Sequence, residues 1–272
     1  MNIVLFDSEE INRPLPVKDE RASHIIKVLH KKSGESFDAG IINGSAGTAE
    51  ILSIDDGFIN FKFTPLSDGK PLYPLTLIVG FPRPIQLKRL FRDAAGLGVE
   101  RIWLCGTELG EKSYMDSNIV ERGAAFKALL DGTAQAKSTH VPELRLFASV
   151  GEMLSVLKTE VSDGKNASSV DRNASSVDEE SAAENIFVML DNVKPEGSLF
   201  SFMNGKLASA DNKSKKMHVY AAIGSERGWT DNERNLFKNN GFSACLMGNR
   251  VLRTETAATV AVSLILQAME VL

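Results

Sequence analysis

The N-terminal quarter of the chain alternates short apolar segments with turns. Strand-like segments occupy residues 2–6, 36–42, 47–54 and 58–63, and glycines at positions 34, 40, 44, 47 and 57 punctuate them. Short strands separated by turn residues are typical of a small β-barrel. We therefore predict a β-barrel for residues 1–71.

The rest of the chain has a different pattern. Apolar runs at residues 75–80, 101–105, 186–190, 218–223 and 243–247 alternate with segments of helical periodicity. This alternation predicts an α/β domain with a mostly parallel sheet over residues 72–272. Pro65, Pro71 and Pro74, together with the turn dipeptide at residues 68–69, interrupt both kinds of pattern and mark the boundary.

One segment of the second domain lacks any period. The sequence Asn-Ala-Ser-Ser-Val-Asp at residues 166–171 recurs at residues 173–178 and is followed by two glutamates. Such a polar composition cannot bury a core. Residues 162–184 are therefore predicted to be a mobile surface insertion.

The last helical segment, residues 256–271, is apolar on nearly every side. A helix that is apolar all round must be buried. In a chain of 272 residues, burial between two subunits is a natural solution, and we predict a homodimer.

Two loops near the C-terminus are the strongest candidates for function. The first reads IGSERGWT from Ile223 to Thr230, and the second reads MGNRVLRTETA from Met247 to Ala257. Each follows an apolar strand and precedes a helix, so both are expected at the carboxyl edge of the sheet, where open α/β sheets bind ligands. Either loop taken alone is equally explained as a tight strand-to-helix connection.

The helix between these loops has clear boundaries in the sequence. Thr230 with Glu233 three residues later forms a capping-box pattern, and Gly241 follows the predicted end. The helix should therefore hold the first loop rigidly.

Composition narrows the class of protein. The chain is 43% hydrophobic and 24% charged, as in soluble globular proteins, and its net charge of −4 leaves only local basic patches for a nucleic-acid partner. Its apolar runs fall short of the roughly 20 residues of a membrane span, and the N-terminus lacks the features of a signal peptide, so we expect a cytoplasmic protein with no membrane partner. Cys105 and Cys245 lie in apolar runs and predict buried thiols and no metal site.

The two loops, in this order and spacing, resemble the ribosomal RNA small-subunit methyltransferase E (RsmE) family, whose members carry G-P-E-G-G followed by L-G-x-R-I-L-R-x-E-T-A. The run from Arg21 to His30 resembles the helix of the family's PUA-like RNA-binding module. The resemblance implies an α/β fold with an N-terminal PUA-like β-barrel and a C-terminal SPOUT domain that ends in a trefoil knot. It also implies a dimer.

The same resemblance implies S-adenosylmethionine-dependent methylation of uridine N3 in 16S ribosomal RNA of the small subunit. The residues expected to bind the cofactor are Leu190, Ile223, Gly224, Ser225, Glu226, Gly228, Met247, Gly248, Val251, Leu252, Arg253 and Thr254.

Arg253 is the first catalytic candidate, because a guanidinium can stabilise the uracil anion as it develops. Glu255 is the second, as a proton acceptor. A carboxylate at a helix start is also a capping and dipole partner, and for Glu226 and Glu255 that structural role is the preferred alternative.

The residues expected to bind RNA are Lys27, Arg83, Lys88, Arg89, Arg92 and Arg250. A helix beginning at Pro84 would bury Leu87, Leu90 and Phe91 and leave its basic residues outside. A solvated basic face is the alternative for that helix.

The chain departs from the family pattern at several positions. Ser225 and Arg227 replace proline and glycine of the first motif, Asp93 and Gly96 replace lysine and glutamate of K-A-T-E-L-G-V, and the segment that includes Ala134 and Ser138 keeps only the glutamine of E-Q-S-x-R. His30 also stands where the module helix carries arginine. Two alternatives therefore stay open: a methyltransferase with a different RNA target, and a non-catalytic RNA-binding or assembly factor. A Rossmann oxidoreductase is disfavoured, because no G-x-G-x-x-G follows the first α/β strand.

Overall fold

The computed structural model describes residues 2–118, 122–163, 184–209 and 217–272. They form two compact units, the first made of residues up to Leu72 together with Leu129–Val141, and the second of Tyr73–Ala128 and Pro142–Leu272. The predicted insertion at residues 162–184 lies outside the described residues except for its first two positions and its last.

The first unit contains a five-stranded sheet. Its strands are β1 (Val4–Phe6), β2 (Leu15–Pro16), β3 (Ser36–Ile41), β4 (Ala46–Asp55) and β5 (Phe58–Ser67), in the order β1-β3-β4-β5-β2. The β1–β3 pair is parallel and the other pairs are antiparallel. The four predicted strands are confirmed, and β4 and β5 extend further than their apolar pattern indicated.

A short helix covers this sheet. Helix α1 (Glu20–Ser23) continues as a π-helix over His24–Val28. Asp19 caps the start, because its side chain accepts the backbone N–H of Arg21 at 2.8 Å. Ala22 and Ile25 are fully buried in the core of the first unit, while Lys27 is exposed.

The second unit is built on a seven-stranded parallel sheet. Its strands are β6 (Tyr73–Gly80), β7 (Val99–Cys105), β8 (Glu143–Phe147), β9 (Glu184–Leu190), β10 (Gly197–Ser198), β11 (Met217–Ile223) and β12 (Ser243–Leu246), in the order β10-β12-β9-β11-β6-β7-β8. Every pairing is parallel. The five predicted strands are confirmed, and the two outermost strands, β8 and β10, were missed.

The remaining helices are α2 (Pro84–Gly96), α3 (Arg122–Gln135), α4 (Val150–Ser162), α5 (Leu199–Ser209), α6 (Asp231–Asn239) and α7 (Thr254–Ala268). Helix α2 buries Leu87, Leu90 and Phe91 as predicted. Helix α7 packs against α2, α5, β6 and β11. Its predicted burial on every side is not reached within this chain, because Leu264 is 42% exposed.

The core of the second unit lies between the sheet and its helices. Trp103 and Tyr220 are fully buried there, with ring centroids 6.3 Å apart.

Cys105 and Cys245 are buried free thiols, as predicted, and burial raises the pKa of both. No helix in the described part of the chain is both long enough and apolar enough to cross a bilayer.

Candidate functional site

A cavity of about 700 Å³ opens at the carboxyl edge of the parallel sheet. Segments that follow β9, β11 and β12 form most of its wall, as expected for ligand sites in open α/β sheets. Its lining residues are Gln86, Leu190, Asp191, Asn192, Val193, Ile223, Gly224, Ser225, Glu226, Arg227, Gly228, Trp229, Cys245, Met247, Gly248, Asn249, Arg250, Val251, Leu252, Arg253, Thr254 and Ala257.

The first loop is folded tightly on itself over residues 224–228. Gly228 has φ +69°, a conformation that favours glycine, and its backbone N–H donates to the carbonyl of Ser225 at 2.8 Å. A Cβ on Gly224 would lie 2.8 Å from the Cα of Gly228. Both glycines are therefore required for the loop's shape, and both line the cavity.

The helix after this loop fixes its far end. Thr230 and Glu233 form the predicted capping box at the start of α6, and Gly241 follows the helix with φ +82°. Glu233 also accepts the backbone N–H of Glu108 at 2.9 Å, and the Glu108 carboxylate accepts the hydroxyl of Thr230 at 2.6 Å. The segment after β7 is thus bonded to the cap of α6 and supports the first loop.

A carboxylate on the first loop caps another helix. Glu226 accepts the backbone N–H of Arg83, the N-cap residue of α2, at 2.8 Å. A negative charge at this point also interacts favourably with the helix dipole. Glu226 therefore links the first loop to α2 while lining the cavity.

The second loop leads into α7, which begins at Thr254. Arg253 is the N-cap residue of that helix and is exposed, whereas the next residue, Thr254, is buried. Glu255 is only 5% exposed and does not line the cavity, and its buried Oε2 has no hydrogen-bond partner among the described residues. Arg253 thus lines the cavity and Glu255 lies behind its wall.

A buried ion pair supports the wall between the loops. Asp191, directly after β9, accepts two hydrogen bonds from Arg234 of α6, at 2.6 Å to Nε and 3.3 Å to Nη2. Burial by itself raises the pKa of Asp191, but the bonds from Arg234 and from the backbone N–H of Val193 outweigh it and hold the pKa below its usual value. The backbone N–H of Asp191 also donates to the carbonyl of Cys245 at 3.0 Å, which joins the ends of β9 and β12.

The structure brings together most of the predicted site residues. All twelve residues expected to bind the cofactor line the cavity, and so does Arg250. The other residues expected to bind RNA do not line it, and all of them are exposed: Lys27, Arg83, Lys88, Arg89 and Arg92. The residues expected to bind the cofactor thus share one cavity, whereas five of the six residues expected to bind RNA are exposed outside its wall.

Sequence reasoning missed part of the wall. Asp191, Asn192 and Val193 directly follow the predicted strand at residues 186–190, so their position at the ligand edge was available as a signal. Gln86 and Trp229 carried no such signal, because Gln86 belongs to the α2 segment and Trp229 looks like a core aromatic residue.

The cavity has the properties of a site for a nucleoside-sized ligand. Its volume is in the usual range for small-molecule sites. Leu190, Ile223 and Met247 supply apolar surface, and the tightly turned first loop supplies backbone donors and acceptors. No group of three metal-ligating side chains is found in the described ranges.

Comparison with protein families gives two matches. A family model described as an RNA methyltransferase domain matches residues 68–266, and one described as an RNA methyltransferase PUA domain matches residues 17–64. The first match alone covers most of the chain.

Individual proteins give the same result. The ribosomal RNA small subunit methyltransferase E of Treponema pallidum is 37% identical over 270 residues, which are 98% of this chain and 91% of the relative. Ribosomal RNA small subunit methyltransferase E 1 of Borreliella burgdorferi is 26% identical over 97% of each chain. A crystal structure of the Neisseria gonorrhoeae methyltransferase E bound to S-adenosyl methionine matches with a TM-score of 0.68 and 18% identity over 98% of this chain and 97% of that one. At this identity the structural match shows the fold.

Proposed function

The chain belongs to the ribosomal RNA small-subunit methyltransferase E family, and on that premise we propose that it methylates N3 of one uridine in 16S ribosomal RNA. The enzyme is an S-adenosylmethionine-dependent methyltransferase. The observation that carries this proposal is the cavity at the carboxyl edge of the sheet, with both family loops in its wall. Because its substrate is ribosomal RNA, we place the protein in the cytoplasm.

The residues of the cavity fit the donor. Gly224 and Gly228 line the cavity without a side chain, and the apolar side chains of Leu190 and Leu252 offer contact surface for an adenine ring. Backbone groups of residues 223–228 and 247–252 would hold the adenosine and methionyl parts. When bound there, S-adenosylmethionine supplies a methyl group that is already activated by the sulfonium.

The chain's contribution to the reaction is then mainly positioning. The target N3 must lie in line with the donor methyl, and correct placement removes much of the barrier. Arg253 lines the cavity at the start of α7, where its guanidinium would stabilise negative charge on the uracil carbonyl oxygens as the N3 proton passes to solvent water. Glu255, behind the wall, supports the start of α7.

The basic residues of α2 would contact the RNA backbone. Lys88, Arg89 and Arg92 are exposed on the helix whose other face is buried in the core. Arg89 also pairs with Asp93 at 3.4 Å, an exposed contact that is easily exchanged for a phosphate. In the N-terminal PUA-like module, residues 1–71, we assign Lys27 to the same task.

We further propose that the C-terminal segment of the SPOUT domain, residues 72–272, forms a trefoil knot. The order β12-β9-β11 supports this proposal, because the chain leaves β11, passes β9 to reach β12 and then returns. After the return, α7 packs against β6 and β11. A path of this kind lets the chain end pass through an earlier loop.

A homodimer would cover the apolar surface that one subunit leaves open. Ile85 and Val251 are each 87% exposed, and Phe200 is 74% exposed. Leu264 adds apolar surface on α7. Sedimentation velocity is the direct check, and a monomer at micromolar concentration would contradict the dimer.

The function is tested by mapping N3-methyluridine in small-subunit RNA. RNA from a strain lacking the gene should lose one such site, and purified enzyme with S-adenosylmethionine should restore it. Loss of methylation on another RNA, with small-subunit RNA unchanged, would show that the target is different. Absence of any change, together with no donor binding by calorimetry, would indicate a non-catalytic RNA-binding protein.

A further inference from the structure

Three guanidinium groups line the mouth of the cavity. Arg227 belongs to the first loop, and Arg250 and Arg253 belong to the second, and all three side chains are exposed. Within the described ranges, neither Arg250 nor Arg253 has an ion-pair partner, and the only bond of the Arg227 side chain is a long one, 3.5 Å from Nη1 to the carbonyl of Leu109. Most of their N–H donors are therefore available to a ligand.

The acidic residues of the same wall are already engaged. Asp191 is paired with Arg234, and the Glu226 carboxylate accepts the backbone N–H of Arg83. Glu226 keeps its negative charge in that bond, but the three guanidinium groups outnumber it, so the mouth carries a net positive charge on a chain whose net charge is −4. Such an excess attracts anions at the entrance.

The donor cannot account for this excess. S-adenosylmethionine has one carboxylate, one ammonium and one sulfonium group, so its net charge is positive. Three arginines repel such a ligand overall, whereas they attract RNA, which carries one negative charge per nucleotide. Arg253 faces the reacting base in the proposed function, which leaves Arg227 without an assigned ligand.

We propose that Arg227 is an RNA-positioning residue, whose guanidinium binds a phosphate next to the target nucleotide at the mouth of the donor cavity. The inference rests on the proposed function. The bond from Nη1 of Arg227 to the carbonyl of Leu109 places this side chain over the segment after β7. A guanidinium can hold a phosphate through two parallel hydrogen bonds. The family motif has glycine at this position, so the contact is an addition of this chain.

RNA is an anion and S-adenosylmethionine carries a net positive charge, so removal of the Arg227 charge should weaken RNA binding without weakening donor binding. Arg227→Gly places the family residue in the loop and removes one phosphate contact. Binding of a small-subunit RNA transcript, measured by filter retention in the presence of S-adenosylhomocysteine, should weaken about fivefold to tenfold, and the slope of log affinity against log salt should fall by about 0.7. Calorimetric affinity for S-adenosylmethionine should be unchanged or slightly tighter.

Two further variants separate charge from structure. Arg227→Lys keeps the charge and should keep the salt slope. Lys158→Ala removes one exposed positive charge on α4, outside the cavity wall, and should leave RNA affinity and slope unchanged.

Weaker donor binding by Arg227→Gly, with RNA affinity unchanged, would overturn the proposal and assign Arg227 to the donor. An equal loss of salt slope in the lysine variant would also overturn it. These readouts do not require turnover, so a wild-type protein that binds RNA without methylating it would contradict the proposed function alone.

Discussion

The carboxylate of Asp191 and the guanidinium of Arg234 form a two-point ion pair that is almost completely buried, with side chains 5% and 10% exposed. Asp191 follows β9 and lines the cavity, and Arg234 belongs to α6. The pair therefore joins the wall of the donor site to the helix that holds the first loop.

Removing the charge of Asp191 leaves the buried guanidinium of Arg234 with only the exposed carboxylate of Asp231 as its partner among the described residues. Asp191→Asn should lower the free energy of unfolding by about 3–5 kcal/mol, measured by urea denaturation. The matched control is Asp231→Asn, which removes the exposed partner of the same guanidinium, a carboxylate that is 68% exposed and 3.0 Å from Nη1. This control should cost far less, because solvent screens the exposed carboxylate. Equal losses in the two variants would show that burial does not set the strength of the pair.

Gly80 ends β6 directly beneath the first loop. A Cβ at this position would lie 2.6 Å from the backbone nitrogen of Ser225 and 2.7 Å from Cγ2 of Thr107. Gly80→Ala must therefore displace the loop, and we expect affinity for S-adenosylmethionine to fall about tenfold, measured by calorimetry.

The control for this substitution is Gly151→Ala in α4, where the nearest heavy atom, Oγ of Ser149, lies 3.8 Å from the added Cβ. That variant should bind the donor as the wild type does, and alanine should favour the helix. Unchanged donor affinity in Gly80→Ala would mean that the position of the first loop is not needed for binding.

Arg253 lines the donor cavity, and we expect its side chain to matter far more for the reaction than for donor affinity. Arg253→Ala should lower the single-turnover rate of methyl transfer about 10²–10³-fold, because it removes a preorganised charge facing the uracil oxygens. Donor affinity and the unfolding midpoint should stay at their wild-type values, since the side chain is exposed. Arg253→Lys should recover part of the rate through its charge alone. An unchanged rate in the alanine variant would remove Arg253 from the mechanism.

The parts of the fold that sequence predicted are those whose signal is local. Buried parallel strands such as β6 and β11 appear as continuous apolar runs, and the capping box of Thr230 and Glu233 lies within four residues. Strand β8 escaped detection because Glu143 and Arg145 alternate with apolar residues on the outer edge of the sheet. Its polar pattern differs from that of the central strands.

The parts that sequence did not predict depend on distant contacts. Asp191 and Arg234 are 43 positions apart, and no local pattern pairs them. The segment Leu129–Val141 groups with the first unit although it follows the start of the second by more than fifty residues. Likewise, the bond from Glu226 to the N-cap of α2 joins segments 143 positions apart.

A buried histidine at the opposite edge of the sheet gives a prediction for the pH dependence of stability. His218 is 1% exposed, and its Nε2 lies 2.8 Å from Oγ1 of Thr76. Burial, with a contribution from the nearby Arg101 charge, lowers the pKa of His218 to about 3. The unfolded chain titrates near pH 6.5 at this residue, so between these values the unfolded state binds a proton that the folded state does not.

Stability must therefore fall as the pH decreases below about 6.5, and His218 alone should cost about 1 kcal/mol between pH 7 and pH 5.5. His218→Gln keeps a group that can hydrogen-bond to Thr76 but cannot titrate. We expect the variant to be less stable than the wild type at pH 7, with a difference that shrinks by about 1 kcal/mol at pH 5.5, measured by urea denaturation. Burial also raises the pKa of the neighbouring Glu100, and that carboxyl is present in both proteins. Parallel stability curves would show that the pKa of His218 is the same in the folded and unfolded states. A difference that grows at pH 5.5 would show that its buried Nδ1, 3.7 Å from Glu100, is protonated in the folded state.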